Sequence, residues 1–163
     1  MSIRDLTSDV KIVPILSPLA AEAAADRTSA VIDTQHYDAF VVLVHFGTID
    51  GAADAQSVKL SHADAASDST TLTSGEDVAT SAQTVLSAAD DDAVYIEVRK
   101  PTKRFYQLTV DKDATNATNE SAVALLYRNK ESVPVNHATG SGTSGGSGAV
   151  TGESIVHPAS GTA

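Results

Sequence analysis

Apolar and polar side chains alternate at every step along two neighbouring stretches of the chain. In Ala93–Arg99 (AVYIEVR) every second residue is apolar and β-branched, and Arg104–Val110 (RFYQLTV) again alternates, with an apolar or aromatic residue at every second position. A period of two is typical of a half-buried β-strand, and no long stretch has the period of a helix. We therefore predict two strands here. Val94, Ile96 and Val98 are expected to face the core.

Other stretches carry strand patterns at the spacing of a sandwich or barrel. Both faces of Ala39–Phe46 (AFVVLVHF) are apolar, which predicts a strand covered on two sides. Val123, Leu125 and Tyr127 share one face of the last predicted strand. The remaining predicted strands are Ser29–Asp33, Gln56–His62, Thr70–Thr73, Gln83–Ser87 and Ser121–Arg128. These patterns predict an all-β fold, an antiparallel β-sandwich that is jelly-roll-like.

The composition divides the chain of 163 residues into three parts. We predict an extended N-terminal arm over residues 1–27, a β-sandwich domain over 28–135 and a Gly/Ser-rich C-terminal tail over 136–163. The tail holds seven of the ten glycines, which is linker composition, so we expect it to be disordered in the free protein. Within the arm, Pro18–Arg27 is compatible with a helical turn because Ala and Glu favour helix. Gly47–Asp54 is predicted to be a loop.

The chain is strongly acidic, with 11 Lys and Arg against 21 Asp and Glu and a formal net charge of -10. This balance repels polyphosphate, so we expect no nucleic-acid partner. The absence of cysteine excludes disulfides and thiolate metal sites. We find neither a secretory signal pattern nor a run of about 18 apolar residues, and we therefore expect a protein made in a cytoplasm that does not enter a membrane.

Four cations nevertheless gather within six residues: Arg99, Lys100, Lys103 and Arg104. Pro101 presets a turn between the two alternating stretches, which predicts that the cations lie at the tip of a hairpin. Such a tip could bind nucleic acid, an anionic ligand or an acidic protein surface. It could equally be a solvated turn. The acidity of the remaining chain favours a protein partner over nucleic acid.

Motifs that could carry chemistry are present only in fragments. The string GTSGGSG at Gly142–Gly148 is similar to the serine loop of trypsin-like proteases, but it lies in a low-complexity tail without a paired base. Asp111, Asp113 and Glu120 lack the spacing of an EF-hand, and Asp90–Asp92 is more simply a solvated turn. The histidines show no metal-binding spacing: His36, His45, His62, His137 and His157. We therefore expect no catalytic residue, no metal ligand and no cofactor.

Four segments resemble small structural proteins encoded in the head-gene region of tailed bacteriophages. They read MSIRDLTSDVKIVPILSP, AVIDTQHYDAFVVLVHFGTIDGA, KRFYQLTV and ALLYRNKESVPV, and the resemblance covers roughly residues 1–135. The matching positions are Asp33, Tyr37, Asp38, Gly47, Thr48, Ile49, Lys59, Leu60, Lys103, Arg104, Phe105, Arg128 and Pro134. This chain departs from the commoner pattern in its longer acidic region at 63–92 and in its tail.

The resemblance implies a capsid decoration or cement protein, which is a virion structural protein and not an enzyme. It would lie on the outer capsid surface, bind the major capsid protein and form a homo-oligomer, either a trimer or a dimer. Arg99, Lys100, Lys103 and Arg104 would dock on an acidic surface of the capsid or of a sister subunit. The alternatives are a head-tail or tail component and a carbohydrate-binding module, although the chain has no Trp and only four Tyr for sugar stacking.

Overall fold

The computed structural model describes residues 9–18, 22–23, 26–50, 56–79, 81, 83–85, 93–111 and 117–130. The predicted tail 136–163 lies outside these residues. The strands in chain order are β1 (Lys11–Leu16), β2 (Glu22–Ala23), β3 (Arg27–Thr28), β4 (Ile32–Asp33), β5 (Tyr37–Asp50), β6 (Gln56–Ala63), β7 (Ala65–Ala66), β8 (Leu72–Thr73), β9 (Glu76–Asp77), β10 (Gln83–Val85), β11 (Ala93–Arg99), β12 (Phe105–Asp111) and β13 (Ala117–Asn129).

The strands form two main antiparallel sheets. The first sheet has the order β1-β13-β5-β11, and β2 also pairs with β13. The second sheet has the order β10-β6-β12-β3, with β4 also paired to β12 and β9 to β6, while β7 and β8 form a small separate pair. The predicted all-β antiparallel sandwich is confirmed. The finer jelly-roll description stays a prediction.

The core lies between the two sheets and is mostly aliphatic. Phe40 on β5 and Tyr106 on β12 meet across it, with ring centroids 4.8 Å apart and planes inclined by 59°. The first sheet also contributes Val42, Val44, Phe46, Ala122, Ala124 and Leu126, and the second contributes Val58, Leu60, Leu108 and Val110. Removing this surface from water is the main stabilising contribution to such a fold.

The three longest strands of the first sheet, β5, β11 and β13, each turn one face towards the core. Val94, Ile96 and Val98 face the core, as predicted. The expectation that β5 is covered on both sides is wrong, because the sandwich has only two layers. Leu43, on the outer face of β5, is 40% exposed. Val123, Leu125 and Tyr127 share a face as predicted, and it is the outer face, since their neighbours Ala122, Ala124 and Leu126 enter the core.

The predicted hairpin between β11 and β12 is wrong. All seven residues of Ala93–Arg99 pair with β5 in the first sheet, whereas β12 pairs with β6, β3 and β4 in the second. Residues 100–104 therefore cross from one layer to the other. Alternation determines which side chains of a strand face the core. β11 and β12 both turn their apolar side chains inward, although they lie in opposite sheets. Alternation does not specify which strand each one pairs with.

Two local expectations also change. β5 continues through Asp50, which pairs with Ala117, so residues 47–50 of the predicted loop Gly47–Asp54 belong to a strand. Within Pro18–Arg27, Glu22–Ala23 are extended and pair with β13, so these two residues are not part of a helical turn. Strand pairing outweighs the helix propensity of a short Ala-rich segment. Within residues 1–27, β1 is hydrogen-bonded to β13 and belongs to the sheet.

An ion pair is buried between the two sheets. Arg27 on β3 donates a hydrogen bond from Nη1 to Oε1 of Glu120 on β13, at 2.9 Å. The Glu120 side chain is fully buried and that of Arg27 is 16% exposed. Arg27 also donates from Nη2 to the carbonyl oxygen of Ser17, at 2.8 Å. The pair therefore ties the second sheet to the first and to the segment that follows β1.

Candidate protein-binding surface at the basic end

The crossing between β11 and β12 is anchored to the core by two buried hydroxyl groups. The hydroxyl oxygen of Tyr106 accepts hydrogen bonds from the backbone N–H groups of Thr102 and Lys103, at 3.1 and 3.4 Å. Thr34 donates to the carbonyl oxygen of Arg104 from its hydroxyl at 2.8 Å and from its backbone N–H at 2.9 Å. The backbone that carries the cations is thus held in place, which limits the entropy lost on binding a partner.

Arg104 is paired within the chain. Its Nε and Nη2 groups donate to Oδ1 and Oδ2 of Asp33, at 3.0 and 2.7 Å, in a bidentate arrangement. Burial acts to raise the pKa of Asp33, but the hydrogen bonds from Arg104 and from the Gln35 backbone outweigh it, so this pKa lies below its ordinary value. The guanidinium carbon of Arg104 also lies 4.7 Å from the centre of the Phe105 ring.

Arg99 and Lys103 also have carboxylate partners. Arg99 donates from Nη2 to Oε2 of Glu97 at 2.9 Å, and the Tyr127 hydroxyl donates to the other oxygen of Glu97. The hydrogen bond from Arg99, followed by that from Tyr127, lowers the pKa of Glu97. The Lys103 ammonium lies 2.5 Å from Oδ2 of Asp64, and this hydrogen bond raises the pKa of Lys103.

Sheet pairing brings two further cations to the same place. Arg128 lies between Tyr127 and Asn129, which pair with Ala39 and Tyr37 at the start of β5. Lys130 donates its backbone N–H to the carbonyl oxygen of His36 at 2.9 Å, and its ammonium lies 3.2 Å from Oδ1 of Asp38. We define the basic end as Arg99, Lys100, Lys103, Arg104, Arg128 and Lys130. It holds six of the chain's 11 Lys and Arg.

Four cations of the basic end are neutralised by Asp33, Asp38, Asp64 and Glu97. Lys100 and Arg128 form no ion pair with any carboxylate in the described part of the chain, and both are exposed. The backbone N–H of Lys100 donates to the carbonyl oxygen of Asp38 at 2.8 Å, so the two surplus cations flank the start of β5. These two are the cations of the basic end without an ion pair among the described residues, although the charge of Arg128 also acts on Glu97 and helps to lower its pKa.

Both surplus cations have a left-handed backbone. The φ angle is 55° at Lys100 and 57° at Arg128, and Ser74 is the third non-glycine residue with positive φ among the described residues. This conformation costs a residue with a Cβ on the order of 1 kcal/mol, whereas Gly and Asn adopt it more readily. Strained residues of this kind concentrate at functional sites. Lys100 and Arg128 thus occupy positions at which Gly or Asn would adopt the backbone conformation at a lower cost.

A cleft of about 250 Å³ lies between the turn and the end of β13. It is lined by Thr34, Gln35, Pro101, Lys103, Arg104 and Lys130. The lining is polar, and its three cations are the ones already paired with Asp64, Asp33 and Asp38. In the described residues we find no cluster of three or more His, Asp or Glu side chains arranged to hold a metal ion. The same residues contain no helix with the length and apolar character of a membrane span.

The four cations predicted from sequence lie together, as their spacing requires, but three are paired within the chain. Sequence reasoning missed Arg128 and Lys130 as members of this surface. The signal that locates them is the register of β13 against β5, which the alternation of SAVALLYR does not reveal.

Comparisons with known proteins do not assign the chain to a family. The sequence matches no protein-family model and no curated protein. Among solved structures, one similar chain comes from work described as "Bacillus endospore appendages form a novel family of disulfide-linked pili". The two chains are 16% identical, the match covers 78% of this chain and 96% of that one, and the TM-score is 0.39. A likeness at this level carries no inference about function.

Proposed function

We propose that this protein is a non-enzymatic virion structural protein of a tailed bacteriophage. It binds the outer surface of the capsid through the basic end and cements neighbouring major capsid proteins. One observation carries the proposal. Of the residues that carry the resemblance to phage head proteins, Asp33, Asp38, Lys103, Arg104 and Arg128 come from distant parts of the sequence and all lie at the basic end.

The physical properties of the basic end support a protein partner. It presents surplus positive charge on an otherwise acidic molecule, so an acidic surface would both attract the protein and orient it during approach. A guanidinium group pairs carboxylates with defined geometry, and Arg128 is the guanidinium of the basic end that has no ion pair among the described residues. Nucleic acid is a poorer partner, because the rest of a chain with a net charge of -10 repels phosphate.

A head-tail or tail component remains the alternative within the same class, since the same surface could bind a portal or tail protein. The carbohydrate-binding alternative is weakened by the placement of the four tyrosines. Tyr37 and Tyr106 are buried, Tyr127 is half-buried against Glu97, and Tyr95 alone is exposed, at 64%. One exposed ring does not make a platform on which sugars stack.

Quantitative mass spectrometry of purified particles tests the proposal. A cement protein is expected in full particles at a copy number near that of the major capsid protein. Removing the tails should leave that ratio unchanged. A copy number matching that of the tail or of the head-tail connector would instead support the head-tail or tail alternative. Absence from purified particles would contradict both the cement role and this alternative.

A further inference from the structure

The two outer faces of the sandwich differ in chemistry. In the middle of the second sheet the outward residues of β6 and β12 are polar, since Ser61 pairs with Gln107 and Lys59 pairs with Thr109. This is the usual composition of an antiparallel sheet that turns one face away from the core. The outer face of the first sheet departs from it, because its outward residues on β1, β5 and β13 are mainly aliphatic.

Sheet register gathers these aliphatic residues into one patch. We define the aliphatic face as the six residues that lie in two adjacent rows across the sheet: Pro14, Val123 and Leu43 in one row, and Ile12, Leu125 and Val41 in the next. Intervening residues such as Val13, Val42 and Ala124 pack into the core, so the six side chains lie on the opposite side. Leu43 is 40% exposed and the other five are half-buried. Apolar patches outside the core mark surfaces that contact a partner.

The aliphatic face is too small to form an interface alone. Neighbouring strands lie about 4.8 Å apart, and outward residues repeat about every 6.8 Å along a strand, so two rows across three strands cover on the order of 200 Å². A standard protein–protein interface buries about 800 Å² on each partner. A contact through the aliphatic face must therefore include the surface beside it.

The basic end adjoins the aliphatic face. The next row of the same register contains Tyr127, Ala39 and Arg99. Arg128 and Lys100 each follow a residue of this row directly in the chain, so both surplus cations lie at the border of the aliphatic face. An apolar centre with charged residues at its border is the usual composition of a protein–protein interface.

We propose that the capsid contact extends from the basic end over the aliphatic face, and that the partner surface on the major capsid protein is apolar and bordered by carboxylates. This inference rests on the proposed function, which names the capsid as the partner. The carboxylates would meet Lys100 and Arg128, and the apolar surface would cover Leu43 and its row. Charge then orients the approach, while burial of aliphatic surface supplies the affinity that remains at high salt.

Threonine substitutions test the aliphatic face in a titration of the protein onto undecorated capsid shells. Leu43→Thr and Leu125→Thr keep a residue type that suits strands but remove aliphatic surface. Each variant is expected to bind about fivefold more weakly, by the same factor at low and high salt, because salt does not screen the burial of apolar surface. Leu72→Thr is the matched control and should bind like the natural protein. Leu72 is also half-buried, but it lies in β8, outside both main sheets.

Thiol protection gives a second measurement that does not depend on small changes in affinity. The natural chain has no cysteine, so Leu43→Cys and Lys59→Cys each supply a single thiol, one on each outer face. The natural side chains are similarly exposed, at 40% for Leu43 and 37% for Lys59. On shells, the thiol of Leu43→Cys should lose most of its reactivity towards a maleimide. The thiol of Lys59→Cys should react as fast as in the free protein.

Several results would overturn the inference while leaving the proposed function in place. They are natural affinity in both threonine variants, an equal loss in Leu72→Thr, and a thiol in Leu43→Cys that reacts as fast on shells as in the free protein. Protection of that thiol that rises with the concentration of free protein would assign the aliphatic face to a second copy, which also contradicts the inference. If the natural protein does not bind shells at all, the proposed function fails and the inference fails with it.

Discussion

Arg104 and Asp33 form a bidentate ion pair across 71 residues of sequence, with hydrogen bonds of 3.0 and 2.7 Å. The pair fastens the crossing between the two sheets to β4. Arg104 therefore has a structural role besides any part in binding. A charge reversal at this residue would change both the stability of the fold and the affinity for a partner. Lys100 and Arg128 offer a cleaner test of binding, because neither is paired with a carboxylate in the described part of the chain.

The Asp33 pair makes stability depend on pH in the acid range. Because the folded-state pKa of Asp33 lies below its ordinary value of 3.8, the pair stabilises the fold above that value. This contribution is lost as the pH falls through the lower, folded-state pKa. We expect Asp33→Asn to be less stable than the natural protein at neutral pH, and the difference to shrink below about pH 4 in urea unfolding. A difference that stays constant down to about pH 2 would contradict this account.

Removing the buried carboxylate of Glu120 should be strongly destabilising. Glu120→Ala leaves the largely buried guanidinium of Arg27, 16% exposed, without this carboxylate, which is expected to cost about 3 kcal/mol or more. Asp77→Ala is the control, because it breaks the exposed pair with Lys59 and should cost less than about 1 kcal/mol. Chemical denaturation gives both values. Equal decreases in the free energy of unfolding would show that the Arg27–Glu120 pair stabilises the fold no more than an exposed ion pair does.

The Tyr106 hydroxyl should hold the crossing in place. Tyr106→Phe keeps the ring packed against Phe40 but removes the acceptor for the N–H groups of Thr102 and Lys103. We expect a loss of about 1 kcal/mol in the free energy of unfolding. Hydrogen exchange at these two amides should quicken while exchange at core amides of β12 changes only with global stability. Unchanged exchange at Thr102 and Lys103 would mean that the hydroxyl does not anchor the turn.

Stability and binding should separate at the two surplus cations. Lys100→Asn and Arg128→Asn relieve left-handed strain, so each is expected to raise the free energy of unfolding by up to about 1 kcal/mol. The same changes remove charge from the basic end and should weaken capsid binding. Lys59→Asn, within the strand β6, serves as the control and should bring no gain in stability. If both variants had a lower free energy of unfolding than the natural protein, the backbone at Lys100 and Arg128 would not be strained.

The sequence was sufficient to predict most of the longer strands and the side chains of β11 that face the core, but not β1, whose Ile15 and Leu16 are also buried. Val94, Ile96 and Val98 were placed correctly because alternation follows directly from the geometry of an extended chain. The partner of β11 was not predictable in the same way. A strand with one apolar face can sit in either sheet of a sandwich, and only long-range pairing decides that it lies beside β5.

The candidate site was predictable only in part. Lys100 and its neighbours are close in sequence, so their clustering needs no knowledge of the fold. Arg128 joins them because Tyr127 and Asn129 pair with the start of β5, about 90 positions earlier in the sequence. The sequence also does not show which cations are neutralised. Asp33 and Asp64 lie beside Arg104 and Lys103 only in the folded chain.

Titration of the protein onto undecorated capsid shells, at low and high salt, tests the basic end most directly. The double variant Lys100→Glu/Arg128→Glu should bind about tenfold more weakly at low salt, roughly 1.4 kcal/mol, because the surplus charge is reversed. Its affinity should also depend less steeply on salt, since screening acts on the natural attraction. Lys59→Glu makes one such charge change away from the basic end and should bind like the natural protein. If the double variant matches the natural protein in occupancy and in salt dependence, the basic end is not the capsid-binding surface.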